Sequence, residues 1–107
     1  MTGGATIVTY SVSEENTGKL HEAVETLLIP AAQTAPGYRG FLLFDQGEGK
    51  RLAVVLCDST ESAKALQGVL GPIAAQHIYP LMTSPSIGTL SRVVLSDGVC
   101  ALNEVPS

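Results

Sequence analysis

Two neighbouring runs, Phe41 to Phe44 in "GYRGFLLF" and Leu52 to Cys57 in "RLAVVLC", are apolar at every position, and they restrict the fold more than anything else in the chain. "QGEGK" between them is a polar, glycine-rich loop of hairpin length, so residues 38–45 and 51–58 read as an antiparallel hairpin. Side chains alternate across a strand. Phe41 and Leu43 therefore oppose Leu42 and Phe44, while Leu52, Val54 and Leu56 oppose Ala53, Val55 and Cys57. A sheet with one wet face places polar residues at alternate positions, and this hairpin has none there. Leaving one set in water forfeits on the order of 1.5–3 kcal/mol per large side chain, which rivals the stability of a small domain once several are counted. A chain of 107 residues has material for one core. The second face calls for another copy of the sheet.

The flanking segments supply the rest of one layer. Residues 5–13, "ATIVTYSVS", alternate with Val8, Tyr10 and Val12 on one side and Ile7, Thr9 and Ser11 on the other, which predicts a strand. Ser13 or Asn16 caps a helix over roughly 17–34, with an apolar stripe of Leu20, Ala23, Val24, Leu27, Leu28 and Ala31; Pro30 is expected to bend or shorten its last turns. "APGY" is a turn. After the hairpin, Asp58 or Ser59 caps a second helix, with Glu61 placed for a capping box from Asp58 and a stripe of Ala63, Leu66, Val69 and Leu70. Gly71 and Pro72 are expected to break it and begin a new segment, with Ile73, Ala74, His77, Ile78 and Leu81 near one face. Pro80 and Pro85 close that segment, 87–96 form the last strand, and 97–107 are a tail without strong local preference.

This order is βαββαβ. Right-handed crossovers put both helical segments on one face of a four-stranded antiparallel sheet, an α+β, ferredoxin-like arrangement within a single domain, 1–107. The uncovered face is then the one for which a second copy of the sheet is the simplest cover.

Charge and cysteine content narrow the partners. Only 15% of residues are charged against 45% apolar, which favours an oligomer. A net charge of −4 with six scattered Lys and Arg excludes the polyanion-binding footprint, so nucleic acid is not expected. The amino terminus shows no leader pattern, and no apolar run approaches the ~20 residues that span a bilayer. Cys57 and Cys100 form no C-x-x-C pair. Together these features point to a cytoplasmic location with reduced thiols and no membrane contact.

The chain resembles a known family at three places: Pro36-Gly37-Tyr38, Gly40 before the apolar strand, and the strand-to-helix corner "CDSTESAKAL". These look like the dimeric α/β-barrel superfamily, in particular its antibiotic biosynthesis monooxygenase branch, over roughly residues 5–96. The resemblance implies a homodimer joined sheet to sheet, with a small-molecule pocket in each subunit between sheet and helices. It also implies a cofactor-independent tailoring activity, a monooxygenase or cyclase acting on an aromatic or polyketide-like substrate.

Candidate site residues follow from the stripes. His77 falls in the expected inward stripe of the last helical segment, where relatives that bind haem or cyclise polyketides use a histidine. There it serves as a general base or metal ligand, or else as a core histidine bonded to a backbone carbonyl. Arg92 on the last strand shares a face with Leu90 and Val94 and either stabilises oxyanion charge or extends to the sheet edge. Tyr10 shares its face with Val8 and Val12, fit for packing, for orienting a substrate or, like Arg92, for stabilising oxyanion charge. Tyr79 diverges from His77 and reads as a surface or interface residue, and Tyr38 as a packing aromatic. Arg39 and Arg51 sit at strand ends and read as solvated. His21 precedes Glu25 by one helical turn and reads as a surface pair.

Haem-degrading relatives supply an asparagine in the region of Thr9 and Ser11, and the branch often carries a tryptophan where this chain has Cys57. Both are missing, so no haem and no other cofactor is expected. Cys57 lacks a basic environment and reads as a small buried hydrophobe. No phosphate loop, H-E-x-x-H, cysteine cluster or G-x-S-x-G occurs. The alternative to an enzyme is a non-catalytic homodimer that binds a small apolar molecule or serves a stress response; a protein-interaction role would rest on the tail alone.

Overall fold

The computed structural model describes residues 3–94. Its elements run β1 (Gly3–Ser11), α1 (Glu14–Ala23), a π-helical turn (Val24–Leu28), α2 (Ile29–Gln33), β2 (Tyr38–Gly47), β3 (Lys50–Cys57), α3 (Thr60–His77), a 3₁₀ turn (Tyr79–Leu81) and β4 (Ile87–Val93). The strands form one sheet in the order β2-β3-β1-β4, and every neighbouring pair is antiparallel. This is the expected βαββαβ arrangement.

The two hairpin strands meet more tightly than the loop length suggested. Gly47 pairs with Lys50, leaving a two-residue turn in which Glu48 has φ 55° and Gly49 φ 80°. Positive φ at both positions gives the mirror-image turn whose twist matches that of antiparallel strands. The register shift between Asp45 and Gly47 absorbs the extra residue as a bulge.

Two helices differ from expectation. The first begins at Glu14, with Ser13 in extended conformation ahead of it, and it is not cut short by Pro30. Instead the coil widens one turn earlier, where the N–H of Ile29 bonds to the carbonyl of Val24, five residues back. A proline has no N–H to give and its ring crowds the carbonyl four residues back; the wider turn relieves both. α3 runs unbroken through Gly71 and Pro72. The carbonyl that Pro72 leaves without a donor belongs to Gly68, an exposed residue with open space where a side chain would be, so water can reach it. The cap of α3 is Ser59, whose side chain accepts from the Ser62 N–H at 3.0 Å; Asp58 is exposed and takes no part.

Residues paired across strands share a face. Thr6, Val8 and Tyr10 of β1 thus lie with Val55, Ala53 and Arg51 of β3 and with Phe41, Leu43 and Asp45 of β2, facing the helices. Two buried clusters form there. One joins Tyr10, Val12, Leu20, Val24, Ala53 and Ile78; the other joins Ala32, Cys57, Ala63 and Leu66. The opposite face carries Ile7, Leu42, Phe44, Leu52, Val54, Leu56, Ile87 and Val93, and none of these packs on either cluster. Phe44 and Ile87 are 46% and 68% exposed. The hairpin is apolar on both sides, and the described chain covers one.

A close approach locks the sheet to α3. A Cβ at Gly4 would collide with the carbonyl oxygen of Ser59, so the start of β1 can pass under the cap of α3 only as glycine.

Candidate active site

The helices do not fill the space they cover. A cavity of about 330 Å³ lies between them and the sheet, at the lower end of the ~300–1,000 Å³ typical of small-molecule sites. Leu20, Val24 and Leu28 come from the first helix, with the π turn keeping Val24 and Leu28 on the same wall. Leu66, Leu70, Ala74 and Ile78 of α3 form a row in steps of four residues. Val8, Phe41, Ala53 and Val55 make the floor. A shallower depression bounded by Thr83, Ser84 and Pro85 shares Tyr79, Met82 and Ser86 with the cavity and forms its mouth.

The polar lining is sparse and uncharged: Thr6, Tyr10, Gln67, Tyr79 and Ser86. No Asp, Glu, Lys, Arg or His lines it among the described residues. Gln67 Nε2 donates to Thr6 Oγ1 at 3.0 Å. Tyr10 is 7% exposed. Burial pushes its phenol above the ordinary tyrosine value, partly opposed by the charge of Arg51 on the adjacent strand, so at neutral pH it keeps its proton and has an O–H to donate.

Arg51 is buried rather than solvated, which corrects the sequence expectation. The tight hairpin turn draws it into β3 opposite Tyr10, where Nη1 donates to Asp45 Oδ1 at 2.9 Å and to the Lys50 carbonyl at 3.2 Å. Its Nε is buried without a partner.

The histidine expectation is overturned. His77 is exposed at the end of α3 and lines no part of the cavity. The inward row Leu66, Leu70, Ala74, Ile78 fixes the helix phase, and His77 stands one residue, about 100°, away from it. The phase was misjudged because α3 continues through Pro72. Arg92 is also exposed and outside the cavity. It pairs with Gly4, whereas Gly88, which does line the cavity, pairs with Val8, about 13 Å back along the strand. Tyr10 alone of the three sequence candidates reaches the cavity.

Tyr79 is 46% exposed and stands at the mouth. Tyr38 packs on the second cluster as expected. His21 is half-buried with Nε2 unpartnered, and no ion pair to Glu25 forms among the described residues, because Glu25 already lies in the widened turn. Cys57 is buried, and burial first and Asp58 second push its thiol up, as befits an inert packing residue. No group of His, Cys, Asp or Glu among the described residues could hold a metal ion. No described helix is long and apolar enough to cross a membrane. The tail, 97–107, with Cys100, lies outside the described residues.

Thr6, Gln67 and Ser86 were not singled out from the sequence. Gln67 was legible in principle, since it precedes inward Gly71 by one helical turn, but only with α3 read as continuous.

No family model matches the sequence, and a search of curated proteins finds no match. Solved structures do match. The NE2512 protein of unknown function from Nitrosomonas europaea superimposes with a TM-score of 0.75 at 14% identity, covering 91% of this chain and 94% of that one. A candidate antibiotic biosynthesis monooxygenase from the same organism gives 0.72 at 17% identity, covering 86% and 90%. A point mutant of SnoaB, a cofactor-independent oxygenase from Streptomyces nogalater, gives 0.69 at 14% identity, covering 88% and 95%. The chain therefore has the ferredoxin-like fold of the antibiotic biosynthesis monooxygenase-like proteins.

Proposed function

We propose that the chain acts as a homodimer, joined through the open sheet face, in which each cavity holds an uncharged aromatic or polyketide-like molecule and oxidises or cyclises it without a cofactor. The observation that carries this reading is the charge-free cavity between sheet and helices, with the buried Tyr10 in its lining. A charged ligand would leave water for a wall that offers no counter-charge, so the substrate is neutral. The likeness in fold to a cofactor-independent oxygenase supports the reaction class.

The lining limits how the reaction runs. It holds no group that is a base near neutral pH, so the substrate needs an acidic C–H, as in an activated methylene beside a phenol or ketone, whose proton passes to water. Tyr10 donates a hydrogen bond to the oxygen on which charge develops and holds the enolate in place. In the oxidation, the carbanion combines with O₂ to a peroxide anion, which takes a proton back from water to become a hydroperoxide and then loses water to leave a ketone. His77 and Arg92 have no part in this scheme.

The missing base also favours a second reading, a non-catalytic binder of the same ligand class. Oxygen uptake by purified, metal-free protein, measured over a panel of neutral polycyclic phenols, separates the two. Saturable uptake that disappears when Ala74→Phe fills the cavity supports the enzyme. Binding without uptake leaves the binder, and absence of both rejects each reading.

A further inference from the structure

Three of the polar groups that line the cavity, Thr6, Gln67 and Tyr10, stand at two separated places. Thr6 and Gln67 meet at one, joined by their 3.0 Å hydrogen bond. Tyr10 stands on the same face of β1 four residues on, about 13 Å of strand away. Between them the floor is Val8, flanked on β3 by Ala53 and Val55. Both ends retain hydrogen-bonding capacity. Beyond its bond to Thr6, the Gln67 amide keeps a second N–H and its carbonyl oxygen, and the Thr6 hydroxyl keeps its proton; none of these, nor the Tyr10 phenol, has a partner among the described residues.

From this arrangement we infer that the ligand is a flat, neutral body with an oxygen at each end, and that Gln67 and Thr6 determine which ligands are accepted. A hydroxyl suits the Thr6–Gln67 end, because that pair offers a donor and an acceptor together. A carbonyl or hydroxyl oxygen suits the Tyr10 end, where the protonated phenol donates. An apolar centre fits the valine and alanine floor. The inference rests on the reading of the cavity as a ligand site, and it adds a selectivity that a plain greasy pocket would lack.

The test compares naphthalene, 2-naphthol and 2,6-dihydroxynaphthalene by the fluorescence of the probes themselves, which is practical because the chain contains no tryptophan. Wild-type protein is expected to bind the diol about three- to tenfold more tightly than the mono-alcohol. Gln67→Leu and Thr6→Val should each bring that ratio to about one, with naphthalene bound at least as tightly as by the wild type. Circular dichroism checks folding, and either variant that folds is sufficient. Equal affinity of the wild type for diol and mono-alcohol, or full preference kept in a folded variant, overturns the selectivity while naphthalene binding upholds the site. Failure of all three probes to bind wild-type protein overturns both.

Discussion

Placing a carboxylate at the centre of the open sheet face, as Val54→Asp, should split the proposed dimer without unfolding the subunit. Val54 pairs with Ile7 on one side and Leu42 on the other, in the middle of that face. It is half-buried within the subunit and belongs to neither core cluster, so the fold has little to lose there. In the dimer each subunit would forgo about 1 kcal/mol of remaining valine burial and at least ~1 kcal/mol in stripping water from an unpaired carboxylate. Two-fold symmetry repeats both costs, so association weakens by about 4 kcal/mol or more, on the order of a thousandfold in Kd. Sedimentation velocity from nanomolar to micromolar protein measures this directly, with far-UV circular dichroism confirming that the variant is folded. A stably folded wild-type monomer at micromolar concentration, or a Val54→Asp dimer of unchanged affinity, would refute the reasoning.

Gly4→Ala should cost about 1–3 kcal/mol in urea unfolding, because the new methyl meets the Ser59 carbonyl; an unchanged midpoint would show that this corner yields freely. Tyr10, Tyr38 and Cys57 all have pKa values raised by burial, so the folded state holds protons that the unfolded chain releases. Stability should be level below the ordinary thiol value of 9.0 and fall as pH rises past it, and a rise in melting temperature across that range would contradict the burial of these groups. In a Cys100→Ala background, Cys57 should resist a thiol reagent in native buffer and react fully in urea; rapid native labelling would mean that its cluster opens. His77→Ala should leave ligand binding and any turnover unchanged, and a loss beyond a fewfold would return the histidine to the site.

The strand and hairpin pattern was readable because its period of two is local: neighbouring residues of "FLLF" and "LAVVLC" state which face they occupy. The same counting would have placed Arg51 inward with Ala53 and Val55, had the turn been read as two residues instead of five. The helices were harder to phase. Proline reads as a bend or an early stop at position 30 and as a break at position 72, yet a widened turn absorbs the first and a solvent-exposed glycine accommodates the second. Both outcomes depend on tertiary surroundings and solvent access, which no local pattern records. The histidine assignment failed with the phase, since it needed a fresh helix after Pro72. Tyr10 survived because it was placed by strand parity. The Thr6–Gln67 pair joins residues 61 apart in sequence, and nothing in either neighbourhood announces the other.

The surplus residue wound into the Val24–Leu28 turn makes the roof of the chamber adjustable by length as well as by substitution. Deleting a single codon there would let the coil return to ordinary pitch, and because the wide turn sweeps about the same angle as an ordinary turn with one residue fewer, the helix downstream would keep its phase. Only the side chains of that turn would shift above the cavity, while the strands beneath kept their pairing. A lineage carrying this scaffold can thus refit its interior through one slip in replication.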